Sequence, residues 1–186
     1  LGAFDLRFHP MNRGFDETVC FRGGMHDYYQ WRLEYDENVV RADGRYLTDV
    51  WSHEAAQFIE RHQREPFFLH VTYNAPHTPL QAPDEDAKPF LESGKFTNAV
   101  STLYGMIHRM DSGIARILET IHSCGLDNNT IVMFTSDNGP MGEYGDTGGL
   151  RGRIRDSYEG GVRVPFIARW PKRIPAGSVQ NEPAIA

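Results

Sequence analysis

A carboxylate and an amide follow directly after an apolar run in the second half of the chain. The run 131–136 is rich in β-branched and aromatic residues, and Asp137, Asn138 and Gly139 come next. Such a run predicts a buried strand of a parallel sheet, and ligands of open α/β sheets collect beyond the carboxyl ends of the strands. The two side-chain oxygens suit a hard cation such as Ca²⁺ or Mg²⁺. Asp-Asn-Gly is also typical of a simple tight turn, so the tripeptide alone leaves both interpretations open.

A histidine follows an earlier apolar run in the same way. The run 67–72 predicts a second buried strand, and the loop after it holds His77 between Pro76 and Pro79. The two prolines keep this loop extended, so His77 is placed to face the same crevice as Asp137. The alternative is a rigid surface loop with an incidental histidine.

A cluster of arginines comes third, at Arg151, Arg153 and Arg155. A cation with positive side chains around it implies an anionic ligand, and a sulfate or phosphate ester fits best. A metal neutralises charge that develops on the transferred group, while His or Arg binds its outer oxygens. Composition alone allows the arginines to be a solvated face instead.

Helical periodicity defines the elements that must position these residues. A helix is predicted from Thr48, acting as its cap, to about His62, and a longer one from about Asn98 to Ser123, ended by Gly125. The longer helix carries an apolar stripe, which predicts core packing: Leu103, Ile107, Met110, Ile114, Ile117 and Ile121. The order strand, helix, strand predicts an α/β fold with a parallel sheet and right-handed crossovers.

The remaining segments are predicted to be irregular. Residues 1–44 are expected to form ordered loops, in which His9, His26 and Asp27 are solvated or structural rather than ligands. Residues 81–96 are polar and turn-rich, which predicts a surface excursion.

Composition sets the class of protein. The 186 residues, 40% of them hydrophobic, suffice for one soluble domain, and a formal net charge of -6 argues against a nucleic-acid partner. No apolar run is long enough to span a membrane. Cys20 and Cys124 lie in no Cys-x-x-Cys motif and are expected to be free thiols. Because the chain starts at Leu1 without an initiator Met and stops without a terminating element, we expect an excised fragment.

Several blocks, in order along the chain, resemble those of type I sulfatases, the arylsulfatase family of the alkaline-phosphatase-like superfamily. The blocks are 8–16 (FHPMNRGFD), 67–79 with its APHTP loop, 134–139 (FTSDNG), and 150–152 (LRG) continued by 158–166 (YEGGVRVPF), and Leu1-Gly2 is similar to the end of the family's Lys-Trp-His-Leu-Gly stretch. The resemblance implies an incomplete α/β parallel-sheet sandwich, with residues 1–186 as the central part of a single sulfatase catalytic domain.

The resemblance also implies the roles of individual residues. Asp137 and Asn138 would bind the active-site Ca²⁺ (Mg²⁺ being possible), and His77 would contact the sulfate or its leaving oxygen. The family's nucleophile is a formylglycine made from the cysteine of a Cys-x-Pro-x-Arg motif, and neither cysteine here lies in one. We therefore expect the nucleophile outside this chain, which would be inactive alone. A secreted, periplasmic or lysosomal location is implied in the same way.

One position departs from the family pattern. The block that begins at Leu150 usually carries a lysine that binds sulfate, and the simplest alignment places Ile154 there. Isoleucine supplies neither charge nor a donor, so Arg153 and Arg155 are the candidate substitutes, although a guanidinium is not equivalent to an ammonium. The leading prediction is a sulfatase acting on small sulfate esters or sulfated glycans. The alternatives are a phosphodiesterase or phosphonate hydrolase of the same superfamily, and a non-catalytic binder of sulfated ligands.

Overall fold

The computed structural model describes residues 5–36 and 38–183, so the matched Leu1-Gly2 lies outside the described residues. The chain forms two compact units, Leu1–Leu118 and Glu119–Ala186. That residues 1–186 belong to a single catalytic domain stays a prediction. Within the described ranges, no helix has the length and apolar character needed to cross a membrane.

The first unit contains a small antiparallel sheet. Its strands are β1 (Val19–Cys20), β2 (Arg32–Tyr35) and β3 (Asn38–Arg41), in the order β1-β2-β3. We predicted only loops in this region, and that prediction was wrong. Strands of two to four residues are too short to display the alternation by which a strand is recognised in a sequence.

The α-helices described in the first unit are α1 (Leu47–His62), α2 (Asp84–Glu92) and most of α3 (Asn98–Ser123), which continues past Leu118 into the second unit. The predicted helix at α1 is confirmed, but Thr48 does not cap it. Tyr46 occupies the N-cap position without a side-chain hydrogen bond, and Thr48 is buried inside the first turn.

Helix α2 lies in the stretch predicted to be a surface excursion. Pro83 stands at its N-cap, and Asp84, Glu85 and Asp86 form its first turn, where negative charge interacts favourably with the helix dipole. These signals define the start of a helix, although the helix is too short for a clear apolar period.

The core of the first unit is largely aromatic. Tyr28 stacks on Tyr46 with ring centroids 5.3 Å apart, and the indole of Trp51 packs at the edge of the same cluster. The buried cluster consists of Tyr28, Trp31, Leu33, Tyr46, Leu47, Val50, Trp51, Ala75 and Met106. It joins β2, α1 and α3 to the loop that carries His77.

Helix α3 packs through small residues rather than through the predicted stripe alone. Ser101 and Gly105 are buried, as is Met106. Of the stripe, Ile121 is 3% exposed, whereas Ile107 is 37% exposed. A Cβ on Gly105 would lie 2.8 Å from the backbone nitrogen of Ala87, which shows how closely α3 approaches α2. Periodicity of large apolar residues therefore identified the helix but not its closest packing face.

The segment 67–72 is not a strand, contrary to our prediction. It has no regular secondary structure and pairs with no strand among the described residues, and its side chains alternate between half-buried and exposed. Phe68 is 72% exposed, so the run is not buried on both faces.

The second unit contains β4 (Val132–Thr135), β5 (Phe166–Arg169) and the single-turn helix α4 (Glu159–Val162). Strand β4 was predicted correctly, but it is only half-buried and pairs antiparallel with β5, where we expected parallel pairing. Gly125 ends α3 as predicted, with φ of 71° and an amide bonded to the carbonyl of His122.

Candidate functional site

The Asp137-Asn138 doublet lies on the turn that follows β4. Asp137 is exposed and Asn138 is half-buried. The hydroxyl of Ser136 donates to the carbonyl oxygen of Asn138 over 3.1 Å, which closes the turn. In the described part of the chain, neither the Asp137 carboxylate nor the Asn138 amide bonds to another side chain, so their oxygens are available to a ligand.

Close backbone contact holds this turn against α4. The amide of Gly139 donates to the carbonyl of Gly161 over 2.8 Å. A Cβ on Gly139 would overlap the carbonyl oxygen of Gly160 and lie 3.0 Å from Cα of Gly161. The Asp-Asn-Gly and Glu-Gly-Gly sequences therefore fit together because glycines stand where the two backbones meet.

The arginine loop is joined to the same turn. The amide of Ile154 donates to the carbonyl of Pro140 over 3.1 Å, and the amide of Arg153 donates to the Asp156 carboxylate over 3.0 Å. Arg155, between Arg153 and Asp156, has a left-handed φ of 73°, so the backbone changes direction sharply at this residue. The structure thus brings the predicted metal ligands and the arginine loop into one segment of the second unit.

The three arginines of this loop are used differently. The guanidinium of Arg151 donates to the hydroxyl of Tyr158 over 2.6 Å and lies 3.7 Å from the centre of that ring. Arg153 and Arg155 are exposed, and within residues 5–36 and 38–183 their guanidinium groups form no ion pair with an acidic side chain. Arg151 is thus held by Tyr158, whereas the other two offer positive charge to an anion.

Ile154 lies between those arginines and is half-buried. Its backbone is fixed by the bond to Pro140, and its side chain offers no donor at the position that the resemblance leads us to align with a lysine. Any positive charge at this place must come from its neighbours. The side chain of Arg153 passes directly over Gly142, which leaves no space there for a Cβ.

The His77 loop is fixed to the aromatic core of the first unit. The Tyr28 hydroxyl lies 2.9 Å from the carbonyl oxygens of both Asn74 and His77, and the Trp51 indole donates to the Asn74 side chain over 2.9 Å. Burial raises the pKa of Tyr28, so its hydroxyl remains a donor. The peptide bonds before Pro76 and Pro79 are cis.

The imidazole of His77 is exposed at the tip of this loop. Its Nδ1 lies 2.8 Å from the carbonyl oxygen of Thr78, and because a carbonyl only accepts, Nδ1 carries a hydrogen. Nε2, the other ring nitrogen, then faces away from this carbonyl. It carries a lone pair in the neutral ring and a hydrogen in the charged ring. His77 belongs to the first unit and the doublet to the second, so a shared crevice for the two stays a prediction.

The donor set of the doublet fits a hard cation. Asp137 and Asn138 offer only oxygen atoms, free of other side-chain partners, which is the chemistry Ca²⁺ prefers. Calcium takes about six to eight oxygens, however, and two residues supply only part of such a shell. If this turn binds calcium, these two residues would supply only part of the site, and the metal site stays a prediction.

The residues that position the site were not predicted. Nothing in the sequence marked Tyr28 or Trp51 as supports of the His77 loop, since their bonding partners lie 46 and 23 positions away. The Glu159-Gly160-Gly161 triplet did carry a signal, because adjacent glycines often mark a close backbone approach.

Comparison with known proteins gives a consistent result. The family model described as Sulfatase matches residues 2–185. N-acetylgalactosamine-6-sulfatase of Canis lupus familiaris is 32% identical to this chain over an alignment of 204 residues, gaps included. The alignment covers 95% of this chain and 37% of that protein. Arylsulfatase H of the same species is 40% identical over 140 residues, which cover 70% of this chain and 23% of that protein.

Solved structures agree. The crystal structure of Ps i-CgsB in complex with k-i-k-neocarrahexaose superposes with a TM-score of 0.86 at 35% identity, covering 92% of this chain and 43% of that chain. The α/β alkaline-phosphatase-like fold class is thereby confirmed. The chain belongs to the sulfatase family, and it spans about two fifths or less of the length of these relatives.

Proposed function

We propose that this chain is part of a calcium-dependent sulfatase of the formylglycine type, which hydrolyses sulfate esters. The chain would contribute Asp137 and Asn138 to the metal site and His77, Arg153 and Arg155 to the sulfate site. Because the nucleophile and the other metal ligands lie outside these residues, we propose that the chain is inactive alone.

The joined turn and loop of the second unit carry this proposal. Two oxygen donors without other side-chain partners stand on one turn, and backbone bonds tie that turn to a loop with two exposed arginines. A hard cation beside positive side chains suits an ester whose outer oxygens carry negative charge. Phosphate esters share that feature, and membership of the sulfatase family favours sulfate.

Each side chain has a distinct part in the proposed reaction. The arginines bind and orient the outer oxygens of the sulfate, a purely electrostatic task that requires no proton transfer. Protonated His77 donates through Nε2 to the sulfate or to its leaving oxygen, while Nδ1 stays bonded to Thr78. A bound Ca²⁺ would act as a Lewis acid that neutralises charge on the transferred group.

The relatives suggest the class of substrate. One is named for the sulfate of an amino sugar, and a solved neighbour holds the oligosaccharide k-i-k-neocarrahexaose. We propose a sulfated sugar as the substrate, with small aryl sulfates as simpler analogues.

Exchange of the doublet in the full-length parent tests the proposal. We expect Asp137→Asn to lower kcat/KM for sulfate-ester hydrolysis by about 100-fold or more, in line with the loss of a preorganised charge in an active site. Added Ca²⁺ should partly restore the rate, because a weakened site is filled at higher concentration. Glu143→Gln is the matched control, since it removes an exposed negative charge from the following loop.

Two results would contradict the proposal. One is a rate unchanged by Asp137→Asn or by removal of calcium, and the other is release of sulfate by the 186-residue chain itself. Turnover of phosphate esters in preference to sulfate esters would instead support the phosphodiesterase alternative.

A second candidate function follows from Ile154. An apolar side chain where the family pattern has lysine suits a protein that binds a sulfated ligand without cleaving it. Ile154→Lys in the full-length parent separates the two: a raised rate with little change in ligand affinity supports the catalytic proposal. Binding of sulfated sugar without hydrolysis in either variant supports the binder.

A further inference from the structure

A histidine, a cysteine and a glutamate converge in the first unit, outside the proposed sulfate site. His9 stands at the N-cap of the 3₁₀ helix Pro10–Arg13, Cys20 ends β1, and Glu34 lies in β2. The register of the sheet pairs Cys20 directly with Glu34. Residues opposite each other in an antiparallel pair project to the same face, and His9 closes over that face.

The nitrogen–carboxylate distance in this cluster is that of two metal ligands rather than of a hydrogen bond, and the nitrogen–sulfur distance suits either. Nε2 of His9 lies 3.5 Å from Sγ of Cys20 and 3.5 Å from a carboxylate oxygen of Glu34. A charge-assisted bond between nitrogen and carboxylate is normally about 2.8 Å long. Around a tetrahedral zinc ion, Zn–S, Zn–N and Zn–O bonds of about 2.3, 2.05 and 2.1 Å place sulfur and nitrogen about 3.55 Å apart, and nitrogen and oxygen about 3.4 Å apart.

The cluster is sheltered but reachable. The side chains of His9 and Glu34 are 9% and 15% exposed, and Cys20 is half-buried. A cavity of about 140 Å³ opens beside His9 and Cys20. Its other walls are formed by Asp5, Phe8, Pro10, Phe21 and Arg22. A cavity of this size admits a metal ion with a water molecule in its remaining coordination position.

A reactive thiolate is the competing interpretation of these residues, and the electrostatics disfavour it. Cys20 is half-buried, and the residue directly opposite it in the sheet is the negatively charged Glu34. A nucleophilic cysteine needs the opposite environment, in which positive charge stabilises the thiolate. Arg22 is close, but its guanidinium is engaged by Glu34 through bonds of 3.0 and 2.8 Å.

We propose that His9, Cys20 and Glu34 bind one Zn²⁺ ion, with a water molecule from the adjacent cavity as the fourth ligand. Nitrogen, sulfur and oxygen donors together suit zinc, and they would not suit calcium, which takes oxygen alone. Arg22 would orient the carboxylate from outside the ligand shell, as such partners do in metal sites.

Binding requires defined changes at two ligands. The Cys20 S–H bond breaks, its proton passes to solvent, and the sulfur electron pair forms the bond to zinc. Nε2 of His9 must present its lone pair, so the ring hydrogen moves to Nδ1. In the structure, Nδ1 accepts a hydrogen bond from the amide of Met11. This bond is 3.4 Å long and therefore weak, so a small rotation of the ring can break it.

Two measurements on the 186-residue chain test this proposal: calorimetric titration with zinc chloride, and absorption spectra with Co²⁺ as a substitute. We expect one tight Zn²⁺ site per chain and a thiolate-to-cobalt charge-transfer band. Cys20→Ser should remove the band and weaken Zn²⁺ binding by about 100-fold or more, because thiolate is the strongest donor of the three. Cys124→Ser, which changes the other free cysteine, should leave both signals intact.

The alternatives give different results. If the cobalt band survives in Cys20→Ser, or if zinc binds both cysteine variants equally, the metal is held elsewhere and the proposal is wrong. Absence of any tight site in the folded wild-type chain also overturns it. Should Cys20→Ser fail to fold by circular dichroism, Glu34→Gln tests the same point: the band should remain, since the sulfur is intact, while Zn²⁺ affinity falls.

Discussion

The contact between Gly139 and α4 gives a quantitative prediction. In Gly139→Ala, the new Cβ would overlap the carbonyl oxygen of Gly160 and lie 2.9 Å from its carbonyl carbon. Carbon atoms in ordinary contact stay about 3.5–4.0 Å apart, so at least one backbone must move by about half an ångström or more. Backbone lies on both sides of the contact, and no side chain can rotate away to relieve it.

The cost follows from two effects. Overpacking of this kind costs about 1–3 kcal/mol, and weakening of the hydrogen bond from Gly139 to Gly161 adds about 1 kcal/mol. We expect Gly139→Ala to lower the free energy of unfolding by about 2–4 kcal/mol. For a chain of this length that corresponds to a fall in Tm of about 4–16 °C.

The assay is chemical and thermal unfolding followed by circular dichroism, with Gly24→Ala as the control. A Cβ on Gly24 would meet nothing within 4 Å, so its effect should stay within about 0.5 kcal/mol. Equal stability of the two variants would refute the tight contact between the Asp-Asn-Gly turn and α4. If the proposed calcium site exists, Gly139→Ala in the full-length protein should also weaken calcium binding there, because the turn that presents Asp137 has to shift.

Two further predictions concern the first unit. Hydrogen bonds that the protonated His62 ring donates to Glu65, and then to Glu17, raise the pKa of His62. The resulting stability is complete below the unfolded-state pKa of about 6.5 and is lost as pH rises through the raised folded-state pKa. The check is the free energy of unfolding, measured by denaturant titration at several pH values. His62→Gln should reduce its dependence on pH, and His70→Gln should leave that dependence intact. The same dependence on pH in His62→Gln as in the wild type would show that His62 is not its cause. Gly105→Ala should lower the free energy of unfolding by about 1–2 kcal/mol despite the better helix propensity of alanine, because the new Cβ would meet the backbone of α2, and a more stable variant would show that the two helices can separate.

The sequence defined the helices better than the strands. Helix α1 was predicted with its cap two residues from the observed one and with its end at His62, because Trp51, Ala55 and Ile59 mark one face, and all three are buried. Strand β4 was located, yet its antiparallel partner β5 was not, because a local pattern of residues contains no information about which strand lies alongside. Residues 67–72 show the same limit, since a short apolar run does not by itself determine whether the segment joins a sheet.

The candidate site was partly predictable for a related reason. Asp137 and His77 were singled out because one directly follows an apolar run and the other lies on the loop after such a run, which is a local signal; their roles stay a prediction. Their supports were not found: Tyr28 reaches the His77 loop across 49 positions, and Gly161 meets Gly139 across 22. Contacts between distant positions depend on the folded backbone. Of these supports, only the adjacent glycines Gly160 and Gly161 can be recognised as unusual in the sequence itself.

The single hydroxyl hydrogen of Tyr28 has a further consequence. The carbonyl oxygens of Asn74 and His77 lie at equal distances from the Tyr28 hydroxyl oxygen, and its one hydrogen is shared between them. The Tyr28 side chain therefore holds two parts of the His77 loop together. The same ring belongs to the buried cluster that stabilises the first unit. Substitutions that loosen this cluster without unfolding the protein would therefore displace the His77 imidazole. Such variants of buried residues would lower activity even though they lie away from the substrate.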